Sequence, residues 1–167
     1  EMGLLGSREF VKNPPLNLKS IKAMINMDMI GRLNTSSNTI SVGGTGTSTE
    51  SDSLINVLSA NRSFTVNRSP DGYGPSDHAS FYSENIPVFY FTTGAHEDYH
   101  TPADDIDRLN LKGEVAVLSM VADLIQQIAS RPEALTFKES GSKQAARYGR
   151  NMKVTLGIIP DMVSSEN

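Results

Sequence analysis

The chain has 167 residues, 38% of them hydrophobic, which is the size and apolar content of one ordinary globular domain with a core of its own. Its 15 Lys and Arg against 19 Asp and Glu give a net charge of -4, and no basic run is long enough to track phosphates, so nucleic acid is excluded as an expected partner. Cysteine is absent, so any transition metal must be held by His, Asp and Glu, and no apolar run approaches the roughly 18 residues of a membrane-spanning helix.

Taken in chain order, Leu4 to Lys12 reads as a short helix, stopped by Asn13-Pro14-Pro15 because the residue before a proline is pushed out of the α region. Ile21 to Ile30 (IKAMINMDMI) is an almost unbroken apolar run that suits a central strand buried on both faces; Asp28 is its one acid and Gly31 ends it. Thr39 to Val42 is a second strand. The following Gly43-Gly44-Thr45-Gly46 lacks the Gly-Lys-Ser/Thr ending of a phosphate-binding P-loop and reads as a strand-to-helix turn. Glu50 to Ala60 is an amphipathic helix with Leu54, Val57 and Leu58 on its apolar side.

Phe64 to Val66 is a strand, and Ser69 to Pro75 is a loop, broken by its Pro and Gly residues. Ser76 is the expected N-cap of a helix running to Ser83. Ile86 to Thr92 (IPVFYFT) is another buried strand. Leu111 to Ile128 is a long helix expected to bury Val115, Leu118, Val121, Ala122 and Ile125. Strands alternating with helices imply an α/β sandwich. After Arg131-Pro132 the chain turns polar and basic, so 1–132 is the expected domain and 133–151 a linker or terminal extension. The apolar Val154 to Ile159 makes 152–167 the expected start of a second, truncated domain.

Three places carry chemistry. The first is Gly94-Ala95-His96-Glu97-Asp98-Tyr99-His100-Thr101-Pro102, which contains H-E-x-x-H. That pattern makes a zinc site only on a real helix, where both His share one face. Here a strand and Gly94 precede it and Pro102 follows, while Ala103 and Ile106 stand where the extended motif needs Gly and a third His. The stretch is therefore expected to be a loop at the carboxyl end of a buried strand, where open α/β sheets place ligands, with His100 the metal-type residue and His96 and Glu97 uninvolved.

The second is Asp28, since a carboxylate inside an apolar strand must be paired, hydrogen-bonded or metal-bound. The alternative to a metal is a pairing with Arg32 or a helix cap. The third is Gly72 to Ser80 (GYGPSDHAS), where Tyr73, Asp77 and His78 crowd a glycine-flanked loop and a helix start. His78 alone is as consistent with packing as with chemistry. With Asp28 and His100 it completes a set of oxygen and nitrogen donors suited to zinc.

Four blocks in this order, Glu1-Met2-Gly3-Leu4-Leu5-Gly6-Ser7, Asn26-Met27-Asp28-Met29-Ile30-Gly31, Gly72 to Phe81 and Asp98 to Asp104, together resemble the dizinc aminopeptidases of metallopeptidase family twenty-eight, of the aminopeptidase Y and bacterial leucyl aminopeptidase type. The resemblance spans about residues 1 to 130. It implies a three-layer α/β sandwich whose central mixed, mostly parallel sheet is flanked by helices, present here as the C-terminal part of the domain. It also implies two zinc ions, with Glu1 and His100 as ligands of one and Asp28 of the other. Tyr73 matches an oxyanion donor, and Asp77 and His78 match residues beside the site that support the ligands without binding metal.

The implied reaction is zinc-dependent hydrolysis of N-terminal peptide bonds, with peptide or protein N-termini as substrates. The general base would immediately precede Glu1, and the family's upstream His and bridging Asp likewise find no match in this chain. The expectation is thus of an inactive fragment, poor in zinc, that lacks the N-terminal half of its domain. Residues 151–160 resemble the start of a PDZ-type domain, and by resemblance the parent protein is periplasmic, secreted or surface-associated. Two other readings remain open: a glutaminyl-cyclase-like transferase with a single zinc, and a noncatalytic peptidase-like binding module.

Overall fold

The computed structural model describes residues 4–141; Glu1 and the segment 142–167 lie outside the described residues. The two most apolar runs of the sequence become neighbouring strands. β1 (Met24–Met27) and β4 (Val88–Thr92) pair in parallel, with Ile25 opposite Phe89 and Met27 opposite Phe91. On the other side of β4 lies β2 (Thr39–Gly43), antiparallel to it, with Val42 opposite Phe91. Parallel to β2 runs β3 (Thr65–Arg68), completing the order β1-β4-β2-β3. The sheet is mixed and mostly parallel, as expected.

Successive side chains on a strand point to opposite faces, and that alternation sorts the helices. Phe89 and Phe91 of β4 join Ile40 and Val42 of β2 in one buried cluster with Ile55 of α2 (Ser51–Ser59) and Val117, Met120, Val121, Leu124 and Ile128 of α4 (Leu111–Ser130). Each such side chain, fully buried, stabilises the fold by about 1.5–3 kcal/mol before entropy is counted. Tyr90, between the two phenylalanines, faces the other way. Its ring stacks on His78 of α3 (His78–Ser83), at 4.4 Å between centroids. Phe81 of α3 in turn meets Phe10 of α1 (Leu5–Lys12) at 5.5 Å. Helices cover both faces of the sheet, which is the expected three-layer sandwich.

The turn after β2 explains its glycines without a phosphate. Gly44 has φ +79°, and a Cβ there would lie 2.2 Å from the carbonyl oxygen of Val88. Only glycine allows the chain to cross β4 this closely.

Four local expectations are corrected. The first strand is shorter than Ile21 to Ile30, and it is an edge strand of the four described, half-buried with Met27 exposed, instead of central and buried on both faces: pairing stops at Met27, Met29 adopts φ 58°, and Ile30–Arg32 forms a 3-10 turn. Asp28 therefore sits one residue past the strand's carboxyl end. In α2 the inward face centres on Ile55, with Leu54 and Leu58 partly buried, while Val57 is 68% exposed. In α4 the expected face is wrong except for Val121: Val115 is 65%, Leu118 40% and Ile125 49% exposed, and Ala122 is exposed as well. Ser76 does not cap α3. Asp77 holds the N-cap position, without a side-chain cap bond, and the Ser76 hydroxyl is committed elsewhere.

Residues 133–141 run in extended form against the body of the domain. Leu135 is buried, Phe137 bridges to Ser48, and the Tyr82 hydroxyl donates to the Ser140 carbonyl at 2.7 Å. Glu50 fastens the same segment by accepting from the N–H of Thr136 at 3.0 Å and from its hydroxyl at 3.0 Å. Burial alone would raise the Glu50 carboxyl, but these bonds and those from Thr49 and Ser48 hold it below its ordinary value. The remainder of 133–151 and all of 152–167 cannot be compared, since they lie outside the described residues.

Candidate metal centre

Because β1 and β4 are adjacent and parallel, the turns that follow them leave the sheet at the same edge. Asp28 stands on the first turn, its N–H donating to the Phe91 carbonyl at 3.0 Å. His100 stands on the second. The segments carrying a carboxylate and an imidazole thus leave the sheet at the same end, where open α/β sheets bind their ligands, Asp28 one residue past β1 and His100 eight residues past β4.

The stretch HEDYH is not a helix. The Tyr99 N–H donates to the His96 carbonyl and the Thr101 N–H to the Asp98 carbonyl, both at 3.0 Å, closing a tight turn. His100 lies inside it with φ 58°, exposed, its ring stacked on Tyr99 at 3.9 Å. His96 is engaged through its ring, however. Its Nδ1 lies 3.2 Å from an Arg32 guanidinium nitrogen, and since arginine only donates, Nδ1 accepts and the proton of a neutral ring sits on Nε2.

Asp28 is oriented by Ser76, whose hydroxyl donates to Oδ2 at 2.8 Å. Ser76 in turn accepts from the Asn26 side-chain amide at 2.7 Å, so a short chain of hydrogen bonds runs from β1 through the loop before α3 back to the carboxylate. Arg32, the partner offered for Asp28 from sequence, pairs instead with Asp98 and lies 3.8 Å from Asp104. Neither Ser76 nor Asn26 stands out in the sequence as a site residue. The signal available was Ser76 beside Asp77-His78, read there as a helix cap.

His78 is 1% exposed, between the Tyr90 ring and the Asn26 amide, whose nitrogen is 3.5 Å from Nδ1. Burial lowers its pKa to about 4, against the opposing pull of Asp28 and Asp77, so the ring is neutral at pH 7. Burial also raises the pKa of the Tyr90 phenol, partly offset by its bond with Thr92. Asp77 is exposed. Tyr73 is half-buried between Gly72 and Gly74, where a Cβ would lie 2.4 Å from the Tyr82 ring and 2.6 Å from His78 Nε2 respectively. That tight packing fixes the loop on which Tyr73 stands.

Among the described residues no three His, Asp or Glu side chains gather closely enough to hold a metal ion by themselves. Asp28 and His100 are the expected ligands within the described part, and Glu1 lies outside it. A polar cleft of about 650 Å³ flanks the second turn, walled by Arg32, Asn34, Thr93, His96, Glu97 and Arg108. Neither Asp28 nor His100 lines it.

The domain is a mixed, open α/β sheet flanked by helices, with the segments that carry Asp28 and His100 leaving it at the same end. The chain belongs to Peptidase family M28, whose sequence pattern matches residues 1–125. Among solved structures it is similar to the LapA aminopeptidase of Legionella pneumophila, 29% identical, covering 78% of this chain and 37% of that one, with a TM-score of 0.64. It also shares its fold with BSAP, a zinc aminopeptidase from Bacillus subtilis, 23% identical over 84% of this chain and 36% of that one, TM-score 0.65. A third likeness of fold is to an aminopeptidase from Aneurinibacillus sp. strain AM-1, 24% identical over 82% of this chain and 32% of that one, TM-score 0.62. The chain thus spans about a third of the length of these structures. A search of curated protein sequences found no match.

Proposed function

We propose that the full-length protein carrying this chain is a zinc-dependent aminopeptidase that hydrolyses N-terminal peptide bonds. The observation that carries the reading is that the segments carrying Asp28 and His100 leave the sheet at the same end, after adjacent parallel strands, in a chain of a peptidase family. The donor chemistry fits zinc: a carboxylate and an imidazole, with no thiolate, and the carboxylate already oriented by Ser76 as a metal ligand's supporting shell requires. When bound, zinc supplies Lewis-acid activation of water and of the scissile carbonyl.

The chain's own residues have separate tasks. Asp28 and His100, with Glu1, are the ligands, divided between two ions. Tyr73 donates its phenolic proton toward the oxygen that gains charge in the transition state, an interaction that helps only there. His78, neutral and walled in by Tyr90, holds Asn26 and the Ser76 loop in place without taking part in proton transfer. An exported or surface location, taken from the resemblance, belongs to the same proposal, and cell fractionation tests it.

The test is incubation of the full-length protein with an unblocked peptide, followed by mass spectrometry. The expected result is stepwise release of free amino acids, abolished by a chelator and restored by zinc. Loss of ammonia from an N-terminal glutamine without amino-acid release points to a transferase and overturns the reading, and no reaction at all does the same.

A further inference from the structure

Among the described residues, two of the four non-glycine residues with positive φ flank or form the candidate centre: Met29, directly after Asp28, and His100 itself, both at φ 58°. L residues avoid this conformation unless their surroundings impose it. Contacts between the two turns, and within the second, surround both residues. The Met29 carbonyl accepts both the N–H of Thr93, at 3.3 Å, and its hydroxyl. Three residues after Met29, Arg32 reaches across to the second turn, pairing with Asp98 and donating to His96 at 3.2 Å.

Asp98 works at both ends. Its carboxylate holds Arg32, and its carbonyl accepts from Thr101 twice, from the N–H at 3.0 Å and from the hydroxyl at 2.8 Å. His100 lies within the turn so closed. The Arg32 and Asp98 side chains are each 12% exposed, and the Arg32 Nη1 nitrogen is buried without a hydrogen bond, 3.8 Å from Asp104 Oδ1. A buried pair of this kind adds little net stability over apolar packing; what it fixes is geometry.

We propose that Arg32 and Asp98 are positioning residues that set the spacing of the Asp28 and His100 turns, so that the two ligands are held in place before metal arrives. His96 braces the same guanidinium. One guanidinium nitrogen, Nη2, meets both the Asp98 carboxylate and the His96 ring, and the rigid guanidinium plane fixes the directions of its two N–H bonds, which a rotating lysine ammonium does not. The inference rests on the reading of Asp28 and His100 as zinc ligands, and neither Arg32 nor Asp98 touches metal or substrate.

The test uses the full-length protein in three forms: unaltered, Arg32→Lys, and the double variant Arg32→Met with Asp98→Asn, which leaves no unpaired buried charge. Zinc affinity is read by competition with a chromogenic chelator. Hydrogen exchange at the Tyr99 and Thr101 amides is read on the zinc-free protein, and the melting temperature confirms folding. The expected result is a double variant that folds, exchanges these two amides faster and binds zinc about 10–100-fold more weakly, the usual cost of losing a supporting partner of a metal ligand. The Lys variant should fall in between. A folded double variant with zinc affinity within about 3-fold of the unaltered protein and unchanged exchange overturns the inference while leaving the ligands standing. An unaltered protein that takes up no zinc overturns the ligand reading, and this inference with it.

Discussion

The two sides of β4 differ in kind. Toward α2 and α4, Phe89 and Phe91 enter a wholly apolar cluster in which no hydrogen bond fixes a side chain. Toward α3, and at the carboxyl end of the strand, Tyr90, Thr92 and Thr93 enter a polar network of His78, Asn26, Ser76, Asp28 and the Met29 carbonyl. Alternate residues of a single five-residue strand therefore serve stability on one side and site geometry on the other. The apolar side tolerates exchange of one hydrophobe for another of like volume. The polar side depends on each named partner, because a buried polar group left alone costs more than its bond contributed.

Substitutions chosen from each side break or sharpen that contrast. The largest effect is expected at Phe89→Ala, which removes a fully buried ring and should lower unfolding free energy by about 3–5 kcal/mol in a denaturant titration. Next comes pH. The unfolded imidazole of His78 takes a proton near 6.5, whereas the folded one resists down to about 4, so the unfolded state binds more protons between those values. The contribution is complete above pH 6.5 and lost as pH falls toward 4. It amounts to about 3 kcal/mol from the size of the shift, and His78→Gln should flatten that part of the stability-versus-pH curve.

Smaller still is Ser76→Ala. It strips one donor from the Asp28 carboxylate and an acceptor from Asn26, and is expected to cost about 1–2 kcal/mol in the same titration. The least effect belongs to the outer face of α4, where Val115→Ser and Ile125→Ser in this chain should each stay within about 0.5 kcal/mol, as exposed substitutions do. A loss of several kcal/mol there would mean that the face is covered.

That helix also shows where sequence reading succeeds and where it stops. Leu111, Val115, Leu118, Ala122 and Ile125 recur at helical spacing, and so do Val117, Met120, Val121, Leu124 and Ile128. Periodicity detects a stripe without saying which of two stripes turns inward, and the sheet selects the second because its residues meet Phe89 and Phe91. Strands and helices were otherwise legible within a few residues, since their apolar runs and Pro or Gly boundaries are local signals. The four motif blocks were likewise local, and they led to the family.

The network between the blocks was not legible. Arg32 and Asp98 are 66 positions apart, and Ser76 and Asp28 are 48 apart. Nothing in either segment signals that parallel pairing of β1 with β4 brings them together. The local alternatives, Arg32 with Asp28 and Ser76 as a cap, were each chemically sound and each lost to a partner supplied by the sheet. The H-E-x-x-H spelling misled for the opposite reason: its residues are adjacent in sequence but lie on a turn, where His96 braces an arginine and His100 stands apart from it.

The most direct measurement is the zinc content and zinc affinity of the full-length protein with His96→Ala, His100→Ala and Asp28→Ala made separately. Loss of zinc in the His100 and Asp28 variants, with only a modest weakening in the His96 variant, is the predicted result. Zinc binding that survives removal of His100 and is abolished by removal of His96 would contradict it.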